Sequence, residues 1–134
     1  MRILVCGSRD WNDKEAIRFA IEKECAKSDW PAPAHVWIIN GAARGADRLS
    51  SEVGEELHLG VHEVPAQWNM YGKGAGPIRN AEMLKMAPDV VLAFWDGKSK
   101  GTKNMMVHAH RAGVPVKVFQ YKYGVVKEEL WPLK

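Results

Sequence analysis

Two cysteines, Cys6 and Cys25, are all that the 134-residue chain carries. A single pair is too few for a disulfide framework, and both fall in predicted core or helix, so a reducing compartment is the simpler reading. Long apolar runs are missing too. The first one stops after Ile3-Leu4-Val5-Cys6, where Gly7-Ser8-Arg9-Asp10 interrupts it, so there is no signal-peptide core. Nothing approaches the roughly 20 apolar residues that span a bilayer. No membrane partner is expected, and the chain reads as cytoplasmic. Charge of one sign is scarce: a formal net +3 does not demand a polyanionic partner. Metal-ligand spacing is absent as well. His108 and His110 diverge on a helix, and Gly60 separates His58 from His62, so no metal is expected and no cofactor is required.

What is present is enough apolar residue, 46% of the chain, to bury the core of one domain. Short buried strands are predicted over 2–6, 36–40, 61–64, 90–95 and 114–119. Helices are predicted from the caps at 10–13 to about Lys27, from about Gly45 to His58, from Pro77 to Met86, and from Gly101 to Ala112. Ile17, Phe19, Ala20, Ile21 and Cys25 supply the apolar pattern of the first helix. Ser28–Pro33 is a connection that no helix crosses, and 66–77, with Trp68, Tyr71 and three glycines, reads as one long irregular loop. Strands alternating with helices imply a Rossmann-like α/β domain of three layers. Its five-stranded parallel sheet takes the order 3-2-1-4-5, with helices on both faces. That domain is expected over 1–119. Residues 120–134 are expected as a C-terminal extension packing on the domain or on a partner subunit, with Val125 to Trp131 as one helical turn or a docking arm.

Three junctions share one grammar: a buried strand, a glycine turn, then a helix. They are Ile3 to Arg9, Val36 to Asp47 and Val90 to Thr102. Glycine permits the sharp turn and close approach to the peptide groups, and a helix start presents unpaired N–H groups to an anion. In the 3-2-1-4-5 order these junctions meet at the carboxyl edge of the sheet. Arg9, Arg44, Arg48, Lys73, Arg79, Lys98, Lys100 and Lys103 lie on or beside them, which favours a phosphate-bearing ligand despite the near-neutral total.

These segments also resemble a family. Gly7-Ser8-Arg9-Asp10-Trp11, Gly41-Ala42-Ala43-Arg44-Gly45-Ala46-Asp47, Gly74-Ala75-Gly76-Pro77-Ile78-Arg79-Asn80 and Gly101-Thr102 are similar to the YspA-like branch of the SLOG superfamily. That superfamily also holds the LOG phosphoribohydrolases and the DNA-processing protein DprA. The resemblance covers roughly residues 1 to 119. It implies a Rossmann-like fold that binds a nucleotide or nucleotide-derived ligand, in proteins read as sensors or nucleotide-processing enzymes, often in phage or mobile-element settings. LOG enzymes carry a glutamate shortly after their glycine-threonine turn. Here Lys103, Asn104 and Met105 follow Gly101-Thr102, so the catalytic acid of that type is missing.

The candidate ligand-binding residues are Gly7, Ser8, Arg9, Gly41, Arg44, Gly45, Asp47, Trp68, Gly76, Arg79, Asn80, Gly101 and Thr102. Gly41, Gly45 and Asp47 either cradle a phosphate or form a plain tight turn. Arg79 either forks onto a phosphate or pairs with Glu82 on the helix surface. Trp68 and Tyr71 either stack on a base or anchor a lid. Asp96, Asp47 and Glu82 are the candidate acids should the chain be a hydrolase. Three readings follow. The first is binding or sensing of an ADP-ribose-like or nucleoside-phosphate ligand. The second is hydrolysis of an N-glycosidic or phosphoester bond. The third is single-strand nucleic-acid binding of the DprA kind, disfavoured by the small net charge. Pairing into a homo-oligomer is an open expectation.

Overall fold

Strand β1 (Arg2–Gly7) is apolar on both faces, and that fixes the layering. Successive side chains of a strand point to opposite sides. Ile3 and Val5 pack with Ile17, Ile21, Ile38 and Val53 on one side. Leu4 and Cys6 pack with Met83, Met105, Met106 and Ala109 on the other. Helices α1 (Lys14–Lys27) and α2 (Ala46–Glu56) therefore cover one face. Helices α4 (Ala75–Lys85) and α5 (Lys100–Arg111) cover the other. The computed structural model describes residues 1–27 and 35–132. The connection expected at Ser28–Pro33 lies outside the described residues.

Between the helices run β2 (Trp37–Asn40), β3 (Gly60–Glu63), β4 (Val90–Phe94), β5 (Val116–Lys122) and β6 (Val125–Trp131), in the spatial order β3-β2-β1-β4-β5-β6. The first five are parallel, with Ile3 opposite both Ile38 and Val90. The sheet thus has six strands rather than five, and it is mixed: β6 runs antiparallel along β5, from Val116 opposite Trp131 to Lys122 opposite Val125. Residues 125–131 form a strand docked on β5 rather than a helical turn. The turn that makes the strand possible is Tyr123-Gly124, both at positive φ, the conformation that suits a two-residue hairpin. Tyrosine in place of the usual asparagine or aspartate hid that hairpin, and β5 continues through residue 122 instead of ending at 119.

From Trp68 onward the stretch 66–77 is helical rather than irregular. Helix α3 (Trp68–Tyr71) leads through a 3-10 turn at Gly72–Gly74 into α4. Pro77 is the third residue of α4, where its missing N–H costs no intrahelical bond.

Phe19 also departs from expectation. The buried stripe of α1 is Ile17, Ala20, Ile21 and Glu24, at helical spacing. Phe19 falls off that stripe and is 70% exposed. Glu24 takes the fourth buried position because Lys117 of β5 reaches it, Nζ to Oε2 at 3.1 Å. Replacing Ile21 by Ala should cost about 2–5 kcal/mol in urea unfolding, whereas Phe19→Ser should shift stability by no more than about 0.5 kcal/mol.

Candidate functional site

Strand β1 lies between β2 and β4, and the chain leaves β1 towards one face and β4 towards the other. Where such connections diverge, a crevice opens beyond the carboxyl ends of the strands. A cleft of about 370 Å³ occupies that point. Its walls come from the end of β1 (Ser8, Arg9, Asp10), the turn after β2 (Ala43, Arg44, Asp47), the start of α4 (Arg79, Asn80) and the start of α5 (Ser99, Gly101, Thr102), with Asp96 beside them.

The turn after β2 is built on Asp47. Its buried carboxylate accepts hydrogen bonds from the N–H groups of Gly41 (3.1 Å) and Ala43 (3.2 Å) through Oδ2. Asn40 steadies the same turn: its Oδ1 accepts from Ala42 N–H at 2.9 Å, and its Nδ2 lies 3.0 Å from the Asp47 carbonyl. Gly45 sits at φ +78°, and a Cβ there would fall 2.4 Å from the Ser8 carbonyl oxygen. Only glycine fits.

Arg79 reaches the cleft from α4. Its Nη1 donates to the Gly41 carbonyl at 2.7 Å and its Nε to Asn80 Oδ1 at 3.0 Å. Asn80 is buried, and its Nδ2 donates to the Gly101 carbonyl (3.2 Å) and Asn104 Oδ1 (3.0 Å), which couples α4 to the start of α5. The guanidinium is thus aimed by two bonds, and Nη2 makes none among the described residues. Ser99 occupies the N-cap of α5, and its Oγ is hydrogen-bonded to Thr102 Oγ1 at 3.1 Å rather than to a backbone N–H of the first turn. The opening N–H groups of α5 therefore have no side-chain cap at a point where Gly101 and Thr102 line the cleft. Uncapped N–H groups, with the positive end of the helix dipole, receive anions.

The sequence pattern of the YspA, cpYpsA-related SLOG family (YAcAr) matches residues 1–71. The Gene 61 protein of Mycobacterium phage D29 is 36% identical over 126 residues, covering 86% of this chain and 93% of the phage protein. The chain belongs to the YspA, cpYpsA-related SLOG family. SLOG membership ties it broadly to nucleotide-related function, and the phage relative agrees with the phage setting that the motifs implied.

The cleft of this SLOG protein gathers most of the residues singled out from the sequence. Gly7, Ser8, Arg9, Arg44, Asp47, Arg79, Asn80, Gly101 and Thr102 line it, as does Asp96. Gly41 and Gly45 stand behind the wall, one under Arg79 and the other against Ser8. Trp68 is half exposed and bounds an adjoining hollow with Arg9, Ala43 and Arg44. Gly76 packs near the Trp68 ring rather than on the cleft. Tyr71 and Glu82 are exposed and do not line it, and Arg79 turns inward to Gly41 instead of pairing with Glu82. Of the eight basic residues expected at this edge, Arg9, Arg44 and Arg79 face the cleft. Sequence reasoning missed Asn104, whose role appears only when α5 stands beside α4. Among the described residues no helix is long and apolar enough to cross a membrane, and no group of His, Cys, Asp and Glu is placed to hold a metal.

The two cleft carboxylates differ sharply. Burial pushes Asp47 up to about 6, against the downward pull of the Ala43 and Gly41 N–H groups and the Arg79 guanidinium. Asp96 is exposed, and the N–H groups of Ser99 and Lys98 hold it below the usual carboxylate range. Burial raises the Cys6 thiol and keeps it protonated. Since the folded Asp47 binds its proton more tightly than the unfolded chain, where 3.8 is the ordinary value, its contribution to stability is full below 3.8 and disappears as pH rises through about 6. Urea unfolding from pH 3.5 to 7 should show that Asp47→Asn removes this component, a difference between the proteins of about 3 kcal/mol across the window.

Proposed function

We propose that the chain binds or senses a nucleotide or nucleotide-derived phosphate ligand, of ADP-ribose-like or nucleoside-phosphate type, at the carboxyl edge of its sheet. The observation that carries this reading is the meeting, in one cleft, of the uncapped start of α5 with an Arg79 guanidinium whose Nη2 is unused. Backbone N–H groups and an arginine fork together suit a phosphate, whose oxygens accept several charge-assisted bonds at once. Arg9 and Arg44 add positive charge on the same wall, and Trp68 bounds the rim where it would lie beside a bound ligand. Native mass spectrometry of freshly purified protein should reveal a co-purified phosphate-bearing adduct. Arg79→Ala should weaken binding of that compound, or of ADP-ribose in a titration, about 10- to 100-fold while leaving the far-UV circular dichroism unchanged. An adduct that survives this substitution at full occupancy would remove the cleft from consideration.

A hydrolase reading has its own support in the contrast between Asp47 and Asp96. Two carboxyl groups on one cleft, one raised towards neutrality and the other held ionised, are what an acid and a base require. In that case nucleoside monophosphates, NAD or ADP-ribose would be turned over with release of free base or phosphate, and Asp47→Asn would abolish the release. Thermal stabilisation without any product favours the sensor.

A further inference from the structure

A second hollow, of about 360 Å³, adjoins the cleft on its β5 side. Trp11 from the β1–α1 loop, Trp95 just past β4 and Tyr121 from β5 wall it. Ser8, Asp10 and Asp96 belong to both hollows, so the two lie side by side along these residues. The polar atoms of the three aromatic rings are committed elsewhere. Trp11 Nε1 donates to the Asp13 carbonyl at 2.9 Å, Trp95 Nε1 to the Ser99 carbonyl at 3.0 Å, and the Tyr121 hydroxyl to the Asp13 carboxylate. Trp95 and Tyr121 offer a ligand ring surface, while Trp11, only 7% exposed, backs Tyr121 as a stacked ring. Trp11 is held in place between Phe94 and Tyr121, with ring centroids 5.3 and 5.0 Å away.

The rest of the lining has a different character. Asn12 and Gln120 also face this hollow, and their side-chain amides make no hydrogen bond among the described residues. No lysine or arginine lines it, and Asp10 and Asp96 do. A phosphate is repelled from such a wall, while a neutral ring with donor and acceptor edges is matched by aromatic surface and free amides. At the neck, Asp96 Oδ1 takes the N–H groups of Lys98 (2.8 Å) and Ser99 (2.7 Å). Its Oδ2 accepts only a long hydrogen bond from Ser8 Oγ, at 3.4 Å, weak enough for a sugar hydroxyl to replace. The hollow at Trp68 is of the opposite kind: it offers an indole and two arginines with no amide.

We propose that the Trp11–Trp95–Tyr121 hollow is a nucleoside subsite, taking the sugar at Asp96 and the base among the rings, with Asn12 and Gln120 reading the base edge. This rests on the phosphate reading of the cleft and adds a direction to it: phosphates towards Arg79, base towards β5. Isothermal titration with inorganic phosphate and with the four ribonucleoside 5′-monophosphates tests it. At least one nucleotide should bind 10-fold or more tighter than phosphate. The double variant Asn12→Ala/Gln120→Ala, confined to side chains without internal bonds, should erase that advantage and flatten the preference among bases while phosphate affinity stays unchanged. The proposal is overturned if the double variant keeps the advantage, if Trp68→Ala alone removes it, or if phosphate binds and no nucleotide surpasses it; in each case the cleft itself would stand. Failure of phosphate and all four nucleotides to bind would overturn the cleft and the subsite together.

Discussion

Gly41 is gripped at both ends, and the upper rim of the sheet depends on that grip. Its N–H is taken by the Asp47 carboxylate and its carbonyl by the Arg79 guanidinium. Asp47 belongs to α2 on one face of the sheet and Arg79 to α4 on the other. One residue therefore bridges the two outer layers across the strand ends. The arrangement tolerates no side chain at residue 41, where a Cβ would come 2.2 Å from Arg79 Nη1. This glycine is required for close approach rather than for an unusual dihedral.

The bridge buries charge, and the surroundings temper the cost. Asp47 loses solvent but keeps two N–H donors and the nearby guanidinium, the partners a buried carboxylate needs. Below it Asn40, Ser50 and Ser51 form a buried polar group, and Ser51 donates onward to Glu63 at 3.2 Å. Polar groups under a turn rather than an apolar plug fix one geometry, because each has a particular partner to find. The rim is consequently held in one geometry by its own hydrogen bonds, which would lower the ordering entropy lost when a ligand binds there.

Much of this was legible in the chain. Continuous apolar runs at β1 and β4, glycines at their ends and helical spacing afterwards dictate a parallel core with its crevice at the β1/β4 divergence. The junction residues then follow by position, which is why Ser8, Arg79 and Thr102 share a cleft. The failures have separate physical causes. Phe19 is apolar but sits off the buried stripe, and Glu24 is charged but has Lys117 to meet; periodicity alone misplaces both. The glycines of 66–77 read as loop because glycine is a poor helix former, yet packing of Ala75 and the proline-tolerant first turn carry the helix through. Strand β6 escaped because Val-Val-Lys-Glu-Glu-Leu-Trp alternates poorly, and its pairing partner lies across a turn with atypical chemistry. That oversight also left Gln120 and Tyr121 outside the expected domain and so outside any site.

The contact between Tyr121 and Asp13 joins residues 108 positions apart. A chain emerging from the ribosome exposes its first strand, its glycine turns and Trp11 long before β5 is made. The aromatic wall then has only one of its three sides, and β1 lacks β4 as a neighbour. The aromatic wall at this edge is accordingly a property of the finished polypeptide, complete only after synthesis has passed the fifth strand.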